Sequence, residues 1–211
     1  MTASGAVEAK ALRCDAARNL DRILDAARVT FNEEGLDAGI DLIAQRAHVG
    51  VGTIYRRFPS KEDLIAAVLD EILSSIRDLV LEAQAHDSVA EGFAFYLTAM
   101  GQLEFDHMGF LPRLWNDADD EVRREITDLT LDLLERAQEA GVVRADVVYA
   151  DVVSILWSLR GIIDRTAAVS PGAWKRYLEL VSQSLLPGGA PLRNPPLTQT
   201  QADAVSRSVA S

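Results

Sequence analysis

Apolar residues return at intervals of three and four along most of this chain, the spacing that gathers them on one face of an α-helix. From Asn19 to Glu34, Leu20, Ile23, Leu24, Ala27 and Phe31 keep that phase, and Gly35 stops the helix as a C-cap glycine does. Leu42, Ile43 and Ala47 place a short helix with Gln45 and Arg46 outward, for which Asp37 offers a cap. After His48-Val49-Gly50, the residues Val51, Ile54, Tyr55 and Phe58 define a second short helix whose other face holds Gly52, Thr53, Arg56 and Arg57. Pro59 ends it, because proline has no amide hydrogen to donate and biases Phe58 toward extended backbone. Ser60, followed by Lys61, Glu62 and Asp63, then opens a long helix to about Ala85, its stripe marked by Ile65, Val68, Leu69, Ile72, Ile76, Leu79 and Val80.

Downstream the helical period persists, with no strand-like alternation and no glycine-rich phosphate loop. Ser88 caps a helix ending near Phe105, and a short helix from Phe110 to Asn116 is interrupted at Pro112. A long helix runs from Asp119 to Ala140 and stops at Gly141. Another opens at Asp146 and reaches about Ala168, and Pro171 opens the last, which ends by Leu186. The pattern predicts an all-α protein in four segments. A flexible arm occupies 1–18, a three-helix domain 19–63, a larger helical domain 64–186, and a disordered tail, rich in Pro, Gly and polar residues, 187–211.

The two short helices and their tight break, from Asp41 to Asp63, form a helix-turn-helix. Ile43-Ala44, Ala47, Val49, Gly52-Thr53-Ile54-Tyr55, Arg57-Phe58, Ser60-Lys61-Glu62 and Leu64 stand in the register of a known signature. On these residues the segment resembles the DNA-binding domain of the tetracycline-repressor (TetR) family, over roughly Asn19 to Val68. The resemblance implies an N-terminal helix-turn-helix domain, joined by the long helix to a C-terminal ligand-binding and dimerisation domain. It also implies DNA contacts from Gly52 and Thr53 at base edges and from Tyr55, Arg57 and Lys61 at phosphates; Arg56, on the outer face of the same short helix, is added by helix phase rather than by the resemblance. Three positions depart from the family pattern. His48 stands where glycine is usual in the turn, Gly50 where serine or threonine opens the second helix, and Ala38-Gly39 where threonine or serine opens the first. No phosphate contact is therefore carried over to 38, 39 or 50.

Charge sharpens this picture. The chain of 211 residues has a net charge of −11, an unpromising value for a DNA binder until it is divided. Residues 1–61 hold nine Lys/Arg against eight Asp/Glu, and residues 62–211 hold twelve against twenty-four. The acid lies outside the motif, where it either keeps the protein soluble and off DNA or is a solvated surface with no further meaning. The sequence shows no signal-peptide segment and no apolar run long enough to span a bilayer, so the expected location is cytoplasmic, without membrane attachment. Cys14 is the single cysteine, and His48, His86 and His107 are isolated, with no zinc-protease or nucleophile-elbow spacing. Neither a catalytic site, nor a metal site, nor a cofactor is expected.

Between Ser88 and Trp115 the aromatics are dense. Core packing accounts for such a cluster; the alternative is a largely apolar effector pocket walled by Phe93, Tyr96, Met100, Trp115 and Trp157, with Arg160 for polarity. Arg160 and Asp164, four apart, also suit a simple intrahelical pair. Ala150, Ser154, Ser158 and Gly161 form a ridge of small residues that fits either a homodimer interface, as the resemblance implies, or close packing within one chain. The function expected is a ligand-responsive transcriptional regulator. It would bind a double-stranded DNA operator as a homodimer and be released by a small, largely apolar molecule. The alternative is a helical protein that keeps the fold but acts through protein-protein contacts.

Overall fold

A computed structural model of the chain describes the backbone of residues 3–108 and 118–208, and the side chains of 18–108 and 118–205. Among the described residues every regular element is a helix: α1 (Ala3–Glu34), α2 (Ile40–Arg46), α3 (Val51–Arg57), α4 (Lys61–Ala85), α5 (Val89–Asp106), α6 (Asp120–Glu139), α7 (Tyr149–Thr166), α8 (Ala173–Ser184) and α9 (Gln199–Ser208). The short helix expected from Phe110 to Asn116 lies outside the described residues. No helix is long and apolar enough, among those described, to cross a membrane. The chain divides into two compact units, Met1–Glu71 and Ile72–Ser211.

In the first unit α1 packs against α2 and α2 against α3. Their core is Ile23, Ala27 and Phe31 from α1, Ile40, Ile43, Ala44 and Ala47 around α2, and Ile54, Phe58, Leu64 and Val68 beyond. Full burial of a side chain such as Phe31 or Ile43 contributes about 1.5–3 kcal/mol. A charged tie supplements it, since the Arg46 guanidinium donates to Thr30 Oγ1 at 3.2 Å and to Glu33 at 2.6 Å.

Three local expectations change here. The buried face of α2 runs through Ile40, Ile43, Ala44 and Ala47, and Leu42, on a different side of the turn, is 36% exposed. Asp37 does not cap α2; the N-cap is Gly39, which supplies no side-chain bond. Upstream, α1 continues through the residues expected to form an arm, back to Ala3, in keeping with the alanines at 3, 6, 9, 11, 16 and 17.

The second unit packs α5 against α6, α7 and α8, with α7 also meeting α6, α8 and α9. Two glycines permit close approach. A Cβ on Gly101 of α5 would lie 2.6 Å from the ring of Trp174 on α8, and one on Gly92 would lie 2.2 Å from the Ala83 carbonyl oxygen. The cap expected at Ser88 forms, accepting from Glu91 N, and Asp119, the expected start of the long helix, is its N-cap and accepts from Glu121 N. Asp146 does not open a helix, and α7 begins at Tyr149, with Val148 N donating to Asp151 at 2.9 Å. Asp146 instead accepts from Arg144 and from the Leu192 amide, and α8 starts two residues after Pro171.

The expected tail is not structureless. Thr198 and Gln201 bond reciprocally, side chain to backbone, at 3.3 and 2.9 Å, which starts α9 with a capping box. Ala202 of α9 is 1% exposed, so apolar contact with the helical domain secures a segment that is polar in composition.

Candidate nucleic-acid interface and effector cavity

The turn between α2 and α3 is built on His48, whose φ of 55° makes it, among the described residues, the non-glycine one in the left-handed region. That conformation lets Val49 N reach back to Ala44 O at 3.0 Å while His48 N meets Gln45 O at 3.2 Å, which closes α2 and redirects the chain. Gly50 then begins α3 with extended backbone, and its carbonyl accepts from Thr53 N at 2.7 Å. Both short helices thus form without side-chain caps. Phe58, at φ −125° and ψ 101°, is extended as Pro59 requires, and Ser60 and Asp63 exchange bonds at the start of α4.

Ile54 is buried at 1% and anchors α3, while Tyr55 is 48% exposed. Tyr55 therefore leaves the buried stripe to which its spacing assigned it and joins the solvent face. Gly52, Arg56 and Arg57 are exposed beside it, and a Cβ at Gly52 would meet open space. Arg56 donates to Thr53 Oγ1 at 3.0 Å, which fixes that oxygen while leaving its proton available to another acceptor. Lys61 is half-buried at the start of α4, its Nζ 5.9 Å from the centre of the Phe31 ring. The structure therefore brings Gly52, Thr53, Tyr55, Arg56 and Arg57 onto one seven-residue helix, with Lys61 at the head of the next. Chemically this is a short, exposed helix with polar and cationic side chains and one point of close backbone approach.

The second unit holds a cavity of about 450 Å³ that is partly open to solvent. Its wall is drawn from α4 (Ile76), α5 (Tyr96, Met100, Leu103, Glu104), α6 (Ile126, Thr127, Thr130, Leu131), α7 (Tyr149, Val153, Leu156, Trp157) and α9 (Gln199, Asp203). Asp120, Arg123, Arg124 and Asp128 complete it. Of the wall residues expected from sequence, Tyr96, Met100 and Trp157 are present. Phe93 is off the wall, buried behind Tyr96 with ring centroids 6.3 Å apart. Arg160 is also off the wall, 3.9 Å from Asp164 in the intrahelical pair that their spacing allows, and Trp115 lies outside the described residues.

Burial raises the Tyr96 hydroxyl well above the usual phenol range, reinforced by Tyr149 and opposed by a bond with Thr130. Burial likewise pushes the Glu104 carboxyl up to about 7, with Arg160 lowering it and Asp164 raising it. Sequence reasoning missed Glu104, although its place four residues after Met100 and eight after Tyr96 puts it on the same helix face. A lone acid inside an apolar stripe was the available signal. Gln199 and Asp203 had none beyond the Thr-x-x-Gln box, because their segment is polar throughout.

Residues 23–68 match the family model of bacterial regulatory proteins, tetR family, and residues 76–187 match the C-terminal domain of SbtR-like transcriptional regulators. The HTH-type transcriptional regulator SAR2658 of Staphylococcus aureus is 30% identical over 105 residues, 47% of this chain and 55% of that protein. The chain thus spans about half the length of this curated relative. Among solved structures, a TetR transcription regulatory protein from Mycobacterium vanbaalenii is 31% identical with a TM-score of 0.63, covering 83% of this chain and 99% of the other. The regulator SCO0520 from Streptomyces coelicolor is 29% identical with a TM-score of 0.64, covering 81% and 99%. FadR from Bacillus subtilis, solved with stearoyl-CoA, shares the fold at 18% identity and a TM-score of 0.57, covering 80% and 98%.

Proposed function

The chain belongs to the TetR family of bacterial regulatory proteins, and from that premise we propose that it is a homodimeric, DNA-binding transcriptional repressor, released from its operator by a small molecule. The observation that carries the reading is the exposed face of α3. Tyr55, Arg56 and Arg57 stand free of the core on a helix whose opposite side is anchored by Ile54. In this reading Gly52 and Thr53 meet base edges in the major groove, and Tyr55, Arg57 and Lys61 hold phosphates. One such helix reads only a few base pairs, so two copies related by a two-fold axis would read two half-sites. The effector enters the cavity of the second unit, where Tyr96, Met100 and Trp157 line a largely apolar wall. It shifts operator binding only by its differential affinity for the two states of the protein.

The test is a titration of the full chain against a fragment of its own upstream promoter, over a series of salt concentrations and against unrelated competitor DNA. Specific binding with a steep salt dependence is expected, and Lys61→Ala should reduce the slope by about one unit while weakening all sequences alike. Promoter and competitor bound equally, or a slope indifferent to Lys61, would overturn the reading.

A further inference from the structure

One oxygen on the cavity wall lacks a hydrogen-bond partner among the described residues. Glu104 is only 8% exposed, and its Oε2 is buried with no hydrogen-bond partner among the described residues. Its polar neighbours on the wall are otherwise engaged. Thr130 Oγ1 donates to the Ile126 carbonyl at 2.8 Å and bonds the Tyr96 hydroxyl, and the Tyr149 hydroxyl lies 3.3 Å from Thr127 Oγ1. Arg160 attracts the carboxylate from α7, yet its ion pair is with Asp164. A buried carboxyl lacking a donor is disfavoured unless something supplies one. Since the two oxygens of a glutamate exchange by rotation about its soft terminal torsion, either can serve a molecule in the cavity.

The charge around the cavity indicates what that molecule carries. Among the described residues lining it are four carboxyl groups, Glu104, Asp120, Asp128 and Asp203, against two guanidinium groups, Arg123 and Arg124. Arg123 is paired with Asp120, and Asp120, Arg124, Asp128 and Asp203 are all exposed, so of these six charged groups Glu104 is the buried one. The surrounding chain from 62 onward carries twice as many acids as bases, so the field draws cations and opposes anions. Building on the reading of this cavity as the effector site, we infer that it takes an apolar molecule bearing a cationic amine. The ammonium donates to Glu104, and the hydrocarbon part lies against Met100, Leu103, Ile126 and Leu156. A ligand carboxylate would meet Glu104 as a like charge, and a neutral hydroxyl would satisfy its oxygen without using the field. The upward-shifted carboxyl agrees with this assignment, because a bound cation favours the ionised form that burial disfavours.

The test uses the full chain and three probes matched in chain length, decylamine, decanol and decanoate, each below its micellar concentration and titrated by calorimetry at neutral pH. Each probe is then added to the complex with the promoter fragment. Decylamine should bind at least about tenfold more tightly than decanol, with decanoate weakest. Glu104→Gln should bring amine and alcohol to within about twofold of each other, chiefly by weakening the amine. Parity of amine and alcohol, tighter binding of decanoate, or a preference that survives Glu104→Gln overturns the inference. The first two outcomes need only the wild-type protein, so a variant that fails to fold leaves the test intact. Promoter binding that persists alongside any of those three outcomes rejects the amine site and leaves the regulatory reading standing. Loss of promoter specificity alongside a Glu104-dependent amine preference does the reverse.

Discussion

Glu104 makes a prediction about stability that is separate from any ligand. Its carboxyl has an ordinary value of 4.5, and burial, opposed by Arg160 and reinforced by Asp164, moves it to about 7 in the folded chain. Between those values the folded state holds a proton that the unfolded state has released, so this group's contribution falls as pH rises through that window. Glu104→Gln removes the titration. Relative to the wild type, the variant should gain stability progressively from pH 4.5 to about 7 and keep the gain above it, up to about 3 kcal/mol at about 1.4 kcal/mol per pKa unit. Thermal unfolding of both proteins across that range is the measurement, and parallel profiles would show that Glu104 does not titrate as described.

At the scale of elements, the segment between α8 and α9 is secured by polar bonds to the loop before α7. Arg144 donates to Asp146 and to the Ala190 carbonyl, and Asp146 accepts from Leu192 N at 3.0 Å. The bond from Arg144, and after it that from Leu192, hold the Asp146 carboxyl down at about 2. Its contribution is therefore present above the ordinary value of 3.8 and is lost as pH falls through about 2. Asp146→Asn should accelerate hydrogen exchange at Leu192 and in α9 while leaving the amides of α5 and α6 protected. Unchanged exchange at Leu192 would mean that this bond does not restrain the segment.

For the whole molecule, the proposed dimer rests on the outer side of α7 and α8. Of the small-residue ridge, Ala150 is buried within the chain, while Ser158 and Gly161 are exposed, and a Cβ at Gly161 would meet nothing. Ser158 turns its hydroxyl back to the Ser154 carbonyl at 2.8 Å, so its outer surface is small and largely apolar. On α8, Leu180 is 58% exposed. Ser158→Trp should convert a dimer to monomers in sedimentation velocity and weaken promoter binding, because each half-site would then be bound alone. A Ser158→Trp protein that still sediments as a dimer would place the interface on another surface.

Periodicity and breakers alone determined the helical class, the helix-turn-helix and most helix ends. These are local properties: the phase of Ile23, Ala27 and Phe31, the missing amide of Pro59, the positive φ of Gly35 and Gly141 and the caps at Ser88 and Asp119 each act within a turn of their own position. The motif from Ile43 to Leu64 was legible for the same reason, since its residues are contiguous. Tertiary structure decided which of several eligible residues meet across helices. Tyr96, Met100 and Trp157 converge on one cavity, but Phe93 turns into the core, because neighbours on other helices choose the buried side of α5. Tyr55 and Leu42 sit at the edge of stripes too short for spacing alone to fix their burial. The placing of α9 against α7 depends on Ala202 finding an apolar partner far away in sequence, and composition, which averages over the tail, carries no trace of that contact.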